Sequence, residues 1–397
     1  MKTTAIICEY NPMTNGHLKH LQLAREQTAA DTILCVMSGS FVQRGDAAVL
    51  DKYIRAEIAV KTGADIVIEL PTIYAISPAD NFAYGAIKTI SAFPNVEYLS
   101  FGSECGDAEL LTLTAKLLSN EPDEFKALIQ ERLKTGVSFP KARAEALDLY
   151  ADLNPEYAPI KGILNSPNNV LGVAYICAIL KQGLNIKIHT IKREGGDYND
   201  ENGEVDLPSS SAVRKALSIE DYETVKKAVP PLVFDYIKDI KPRESALGDM
   251  ILFKLKNISG YDLENLYDIS GGIHNRLKIA ATSANHITDL LEAAKTKKFT
   301  MARLKRICLY VLFDITKEDY EYCIQCPPYI QILALRSDRK DILSELSYTC
   351  KNVLTRYSDV GRVDKSLRYM VKLDFTAQGT LQIINKSNYY NKKMLLV

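Results

Sequence analysis

The stretch that decides the fold is Ile6–His20, IICEYNPMTNGHLKH. An apolar run from Thr3 to Cys8 enters it with the character of a short strand, and a turn carrying Asn11, Pro12, Asn15 and Gly16 follows. From Gly16 to Thr28 the apolar residues Leu18, Leu21, Leu23 and Ala24 recur at helical spacing. Ligands of open α/β sheets bind at the carboxyl ends of the strands, and the free N–H groups of a helix start attract anions. Gly16 lets a ligand approach the backbone where a β-carbon would clash. His17, in the first helical turn, can point a donor at a phosphate. A lone Asn-Gly-His would read as a plain turn beside a surface histidine. Its place after the first strand, with Glu9, Tyr10 and His20 around it, favours a site.

Outward from this stretch, strand and helix signals alternate. Asp31–Met37, Ala64–Leu70, Val96–Phe101 and Leu184–Ile191 read as further strands. Asp51–Gly63 and Pro78–Ala92 read as helices, and Asp107–Tyr150 as a mostly helical, charged middle. Asn165–Leu171 (NSPNNVL) reads as an interruption before a helix at Gly172–Gln182, and Arg193–Asp206 as a polar loop before Ser209–Leu217. Such alternation predicts a parallel, doubly wound α/β sheet. The boundary of this first domain is expected near Leu217. From Tyr222 to about Cys350 helical stretches dominate without alternating strands, so 218–397 is expected to be a mainly helical domain. Its tail, Leu367–Val397, has strand-like runs such as Tyr369–Phe375 and is expected to fold back on the body.

A chain of 397 residues suffices for two such cores, and 47% hydrophobic with 25% charged residues is ordinary globular composition. No run of about 18 apolar residues exists to span a bilayer, and the first residues place a turn where a signal peptide needs its apolar stretch; cytoplasm is the expected location. Lys and Arg number 49 against 49 Asp and Glu, so no global field draws in nucleic acid. A local patch does exist. Between Leu291 and Tyr310, Lys295, Lys297, Lys298, Arg303, Lys305 and Arg306 face Glu292 alone, an excess of +5. Met301, Leu304, Ile307, Cys308, Val311 and Leu312 take one side of a helix there, which would turn Arg303, Arg306 and Tyr310 outward. A basic stripe with an aromatic suits RNA phosphates and bases; a solvated face is the ordinary alternative. Of eight cysteines, Cys323 and Cys326 form a CxxC without a second ligand pair nearby, which points to core packing rather than zinc.

The run EYNPMTNGHLKH closely resembles the N-terminal signature of the bacterial tRNA(Met) cytidine acetate ligase family, which belongs to the HxGH nucleotidyltransferases. The resemblance continues through Met37–Pro71, FGSE (Phe101–Glu104), SPNNVLG (Ser166–Gly172), SSSAVRK (Ser209–Lys215), Lys297–Arg306 and Pro327–Leu335. It implies a Rossmann-like sheet of the nucleotidyltransferase type and ligation of acetate to the wobble cytidine of elongator tRNA(Met). The reaction would consume ATP and pass through an acetyl-adenylate to N4-acetylcytidine. By matching positions, the ATP pocket would use Ile7, Cys8, Glu9, Tyr10, Asn11, Pro12, Met13, Thr14, Asn15, Gly16, His17, Leu18, Lys19 and His20. Gly102, Asn168 and Arg193 would complete it. The first histidine of HxGH is replaced by Thr14, whose hydroxyl can donate to phosphate but carries no positive charge.

Attack of a carboxylate on the α-phosphorus needs no protein nucleophile, only positioning and stabilisation of developing charge. His17 and Arg214 are the expected catalytic groups, with Ser209 and Ser211 at the same helix start, where a plain N-cap is the bland alternative. Arg303, Arg306, Lys297 and Lys298 are the expected tRNA contacts. Magnesium is expected with ATP, although no carboxylate cluster is dedicated to it. His189, His274 and His286 have no partner recognisable in the sequence. Two rivals stay open: an adenylyltransferase acting on a small molecule, and a non-catalytic RNA-binding protein that senses a nucleotide.

Overall fold

The computed structural model describes residues 2–193, 208–240, 244–386 and 393–397. Five strands, β1 (Thr3–Cys8), β2 (Thr32–Ser38), β3 (Ile66–Leu70), β4 (Val96–Ser103) and β5 (Lys187–Lys192), run parallel. With β6 (Ile330–Leu335), β7 (Val353–Leu354) and β8 (Leu395–Leu396) they form one sheet, in the order β5-β4-β1-β2-β3-β6-β7, with β8 also on β6. The chain winds from β1 through β2 to β3, then crosses back to β4 on the other side of β1. That reversal opens a crevice at the carboxyl ends of β1 and β4.

Period-two alternation divides the sheet residues between two cores. Ala5, Leu34, Val36, Ile66, Ile68 and Leu99 face one side, against Phe82, Ala83 and Ala86 of the Ala79–Ser91 helix and Val173 and Ile176 of the Pro167–Lys181 helix. Ile6, Cys8, Ile33, Cys35, Met37 and Val67 face the other, against Leu21 and Ala24 of the Asn15–Thr28 helix and Tyr53 and Ala56 of the Lys52–Lys61 helix. Strands buried on both faces read as continuous apolar runs, which is why TILCVMS and IVIEL are legible in the sequence.

Four expectations change. The helix expected from Gly172 starts earlier, inside Asn165–Leu171: Ser166 is the N-cap and Pro167 opens the helix, a position where a missing N–H costs nothing. The stretch from Tyr222 to Cys350 is not free of strands: β6 pairs antiparallel with β3, Ile66 opposite Leu335. A six-residue apolar run such as IQILAL fits strand and buried helix equally. Tyr369–Phe375 lies within the Arg368–Asn385 helix, where Met370, Asp374, Ala377, Leu381 and Ile384 are buried at helical spacing. The tail does return to the body, through β8 on β6. The loop expected at Arg193–Asp206 lies, beyond Arg193, outside the described residues.

The last correction concerns the basic stripe. Arg306 and Tyr310, expected outward on the Met301–Leu312 helix, are 8% and 0% exposed. Arg306 donates to the Gln43 carbonyl (3.3 Å) and the Tyr310 hydroxyl to the Ile76 carbonyl (2.7 Å). Arg303 grips both oxygens of Asp268, at 2.8 and 3.0 Å, and Lys305 pairs with Asp46 at 2.7 Å. This helix is sandwiched, apolar side toward its own layer and polar side toward residues 41–77. Lys297 and Lys298 remain exposed. The CxxC cysteines are buried, and the Cys326 thiol donates to the Ser366 carbonyl at 3.3 Å.

Candidate functional site: a cleft at the carboxyl ends of β1 and β4

The Asn15–Thr28 helix begins under the crevice with Thr14 as N-cap, in extended conformation. The Thr14 N–H donates to Nδ1 of His17 at 3.1 Å. A backbone amide only donates, so Nδ1 is the acceptor and the neutral ring carries its proton on Nε2. Burial, reinforced by the charge of Arg193, pulls the His17 pKa down to about 4. His17 is therefore a neutral donor with Nε2–H left for the cleft. Burial first, then the neighbouring His17, His189 and Arg193, take His20 down to about 3.

The cleft is lined by Thr14, Gly16, His17, Lys19 and His20 from the start of the Asn15–Thr28 helix, Gly102 from β4, Lys192 at the end of β5, Arg193 after it, and Ser209. At Gly102 an added Cβ would stand 3.2 Å from the Arg193 side chain. This set joins a helix start, a neutral imidazole and several cations around one concavity, which suits a phosphate chain. Leu23, Ile191, Pro208 and Ser210 also line it and were not anticipated.

Other expected residues build the cleft from behind. Cys8, Tyr10 and Met13 belong to the core, and the Tyr10 ring meets His17 edge-on with centroids 5.4 Å apart. Asn11 accepts from the Val49 N–H (2.8 Å), and the Pro12 carbonyl accepts from Ser210 (2.9 Å). Asn15 turns away, donating to the Lys227 carbonyl at 2.8 Å. Glu9 accepts from the Gln43 N–H (2.8 Å), and burial raises its pKa against that hydrogen bond and Arg214. Ile7 and Leu18 are half-buried. Asn168 does not line the cleft: its amide donates to Glu104 at 2.7 Å. Arg214 is likewise a positioning group here, donating to the Asn11 carbonyl (2.7 Å) and to Ser211 (3.2 Å).

Three supports have no signature in the sequence. Arg55, 1% exposed, donates to the carbonyls of Glu9 (2.6 Å), Ser38 (3.0 Å), Leu50 (3.1 Å) and Gly39, tying together the ends of β1 and β2. The Glu104 carboxylate accepts from the N–H groups of Asn168 (3.1 Å) and Asn169 (2.7 Å) at a helix start, and the Asn169 side chain accepts in return from Glu104 and Cys105. His189, without a recognisable partner in the sequence, bridges Ser100 (3.0 Å) and Gln27 (2.9 Å), and Ser100 reaches His20 at 2.9 Å. These contacts join residues far apart along the chain, so no local pattern announces them. Among the described residues no three His, Cys, Asp or Glu side chains converge to hold a metal ion.

The chain is similar to known proteins over its whole length. A family model described as HIGH Nucleotidyl Transferase matches residues 1–395. The chain is 37% identical to the tRNA(Met) cytidine acetate ligase of Clostridium acetobutylicum, covering 100% of both chains. It is 38% identical to that of Caldanaerobacter subterraneus subsp. tengcongensis, over 87% of this chain and 86% of the relative. Among solved structures it is similar to Thermotoga maritima TmcAL in its apo form (TM-score 0.91) and bound with alpha-thio ATP (TM-score 0.89), each 33% identical and covering 100% of both chains.

Proposed function

The chain belongs to the HIGH nucleotidyl transferase family and, within it, to the tRNA(Met) cytidine acetate ligases, and on that premise we propose that it activates acetate with ATP and joins it to the wobble cytidine of elongator tRNA(Met). An acetate oxygen attacks the α-phosphorus, the bond to pyrophosphate breaks, and acetyl-adenylate forms. The cytidine amine then attacks the acetyl carbon, losing a proton as AMP departs, and leaves N4-acetylcytidine.

One observation carries this reading: a neutral His17 at a helix start, with Nε2–H free for the cleft beside Gly102 and Arg193. Such a donor strengthens as charge develops on the phosphate and costs no reorganisation. Lys19, Lys192 and Arg193 supply positive charge that Thr14, in place of the first signature histidine, does not. Among the described residues no carboxylate cluster is gathered to hold a metal ion, and a magnesium ion is assigned no step. Residues 1–217 would carry the nucleotide chemistry and 218–397 the tRNA, held by Lys297 and Lys298 with Arg303 at the margin. No single helix among the described residues is long and apolar enough to cross a membrane, and the substrates suggest the cytoplasm.

The test is mass spectrometry of elongator tRNA(Met) incubated with enzyme, ATP and acetate. The expected product carries one acetyl group on the wobble cytidine, with pyrophosphate release that depends on acetate. Acetate-independent pyrophosphate release with a small-molecule acceptor would move the enzyme to the adenylyltransferases.

A further inference from the structure

A second cavity, of about 700 Å³, lies between the Gly45–Val49 turn, the Ser210–Ser218 helix and the helices of the C-terminal half. Its lining joins apolar Ile251, Ile287 and Leu291 to the charged Asp46, Arg214 and Lys305. It adjoins the nucleotide cleft, because successive turns of one helix line the two spaces: Ser209 and Ser210 the cleft, Arg214 and Ser218 the cavity. Arg214 also holds the Asn11 carbonyl of the signature turn at 2.7 Å. The floor is rigid: Gly45 has φ +84°, and a Cβ there would stand 2.7 Å from that of Lys305 and 2.8 Å from the Arg306 nitrogen.

We propose that this cavity seats the target cytidine nucleotide, drawn out of the RNA stack. The inference rests on the tRNA reading above and assigns that substrate a place. Enzymes that modify a base extrude it into a pocket that reads its Watson–Crick edge. Cytosine presents an amine donor beside two acceptors, and a carboxylate beside cations answers that pattern. Asp46 is partly exposed and spends one oxygen on Lys305 at 2.7 Å while the other stands 4.0 Å from Arg214. It can accept from the amine while Arg214 or Lys305 donates to the ring. The apolar side chains cover the faces of the base, and the cations offset its phosphate. A space of this size lies within the range of small-molecule sites.

Ser218 and Thr288 are exposed lining positions on two different helices, so Ser218→Trp and Thr288→Trp block the cavity without disturbing a core. Acetate-dependent pyrophosphate–ATP exchange, which needs no RNA, should stay within about twofold of wild type in each variant, while acetyl transfer to elongator tRNA(Met) falls about 10²-fold through a misplaced acceptor. Parallel loss of both activities would overturn the assignment and give the cavity to the ATP or pyrophosphate step. Undiminished transfer in both variants would overturn it while leaving the ligase reading intact. A wild-type enzyme that exchanges pyrophosphate yet acetylates no tRNA would remove the tRNA reading and this inference with it.

Discussion

The signature turn, Glu9–His20, and the basic stripe, Arg303–Tyr310, carry similar polar patterning, yet they meet opposite surroundings. The turn keeps donors open to a cleft: His17 satisfies its Nδ1 internally and leaves Nε2–H outward. The stripe spends its donors on the protein: Arg303 on Asp268, Arg306 on the Gln43 carbonyl, Tyr310 on the Ile76 carbonyl. Helical spacing tells which residues share a face. It does not tell whether that face meets water, a ligand or another layer of the same chain.

The contrast is sharpest in rate. His17→Ala removes the donor aimed at developing charge and should slow acetate-dependent pyrophosphate release by about 10²–10³, with little change in melting temperature. Near-normal turnover would break the contrast by making the turn as structural as the stripe.

Next in size is an effect on stability. Arg306→Ala removes a buried side chain and leaves the part-buried Gln43 carbonyl without its donor, and should cost about 1–3 kcal/mol in chemical denaturation, whereas reversing the exposed Lys297 and Lys298 to Glu should stay within about 0.5 kcal/mol. The same lysine reversal should weaken tRNA binding and flatten its salt dependence. Equal stability losses in the two variants would erase the distinction between buried seam and open surface.

A third contrast is in pH. His17 and His20 hold folded pKa values of about 4 and about 3, mainly through burial, against about 6.5 in an unfolded chain. The unfolded chain therefore binds protons first as pH falls. Stability is complete above about pH 6.5 and is lost as pH descends toward about 4. His17→Gln with His20→Gln should flatten the melting temperature across that window, and an unchanged slope would mean that neither ring is held neutral.

Much of the architecture was legible because each inner strand is buried on both faces and so spells itself as an apolar run. The turn at Asn11–Gly16 was legible because its chemistry is contiguous. Arg55 and Glu104 were not, since their partners are backbone groups from Glu9 to Leu50 and from Asn168 to Asn169, assembled only by the sheet. β6 was hidden because IQILAL, set among helices, fits strand and buried helix equally, and because the strand it completes lies far away in the chain. Asp374, which accepts from the Thr72 N–H at 2.7 Å, sits in the run Tyr369–Phe375 that reads in sequence as strand-like, with nothing local to mark its partner.

The antiparallel seating of β6 on β3 has a consequence for biogenesis. A ribosome finishes β3 at Leu70 and does not release Leu335 until 265 residues later, on the order of tens of seconds at ordinary elongation rates. Throughout that interval a strand that is apolar except for Glu69 stands at the margin of the nascent sheet with its outer N–H and C=O groups unmatched, a template for another chain. Crowded polysomes making this protein would therefore be expected to lean on holdase chaperones, and fragments that stop before residue 330 should aggregate through β3.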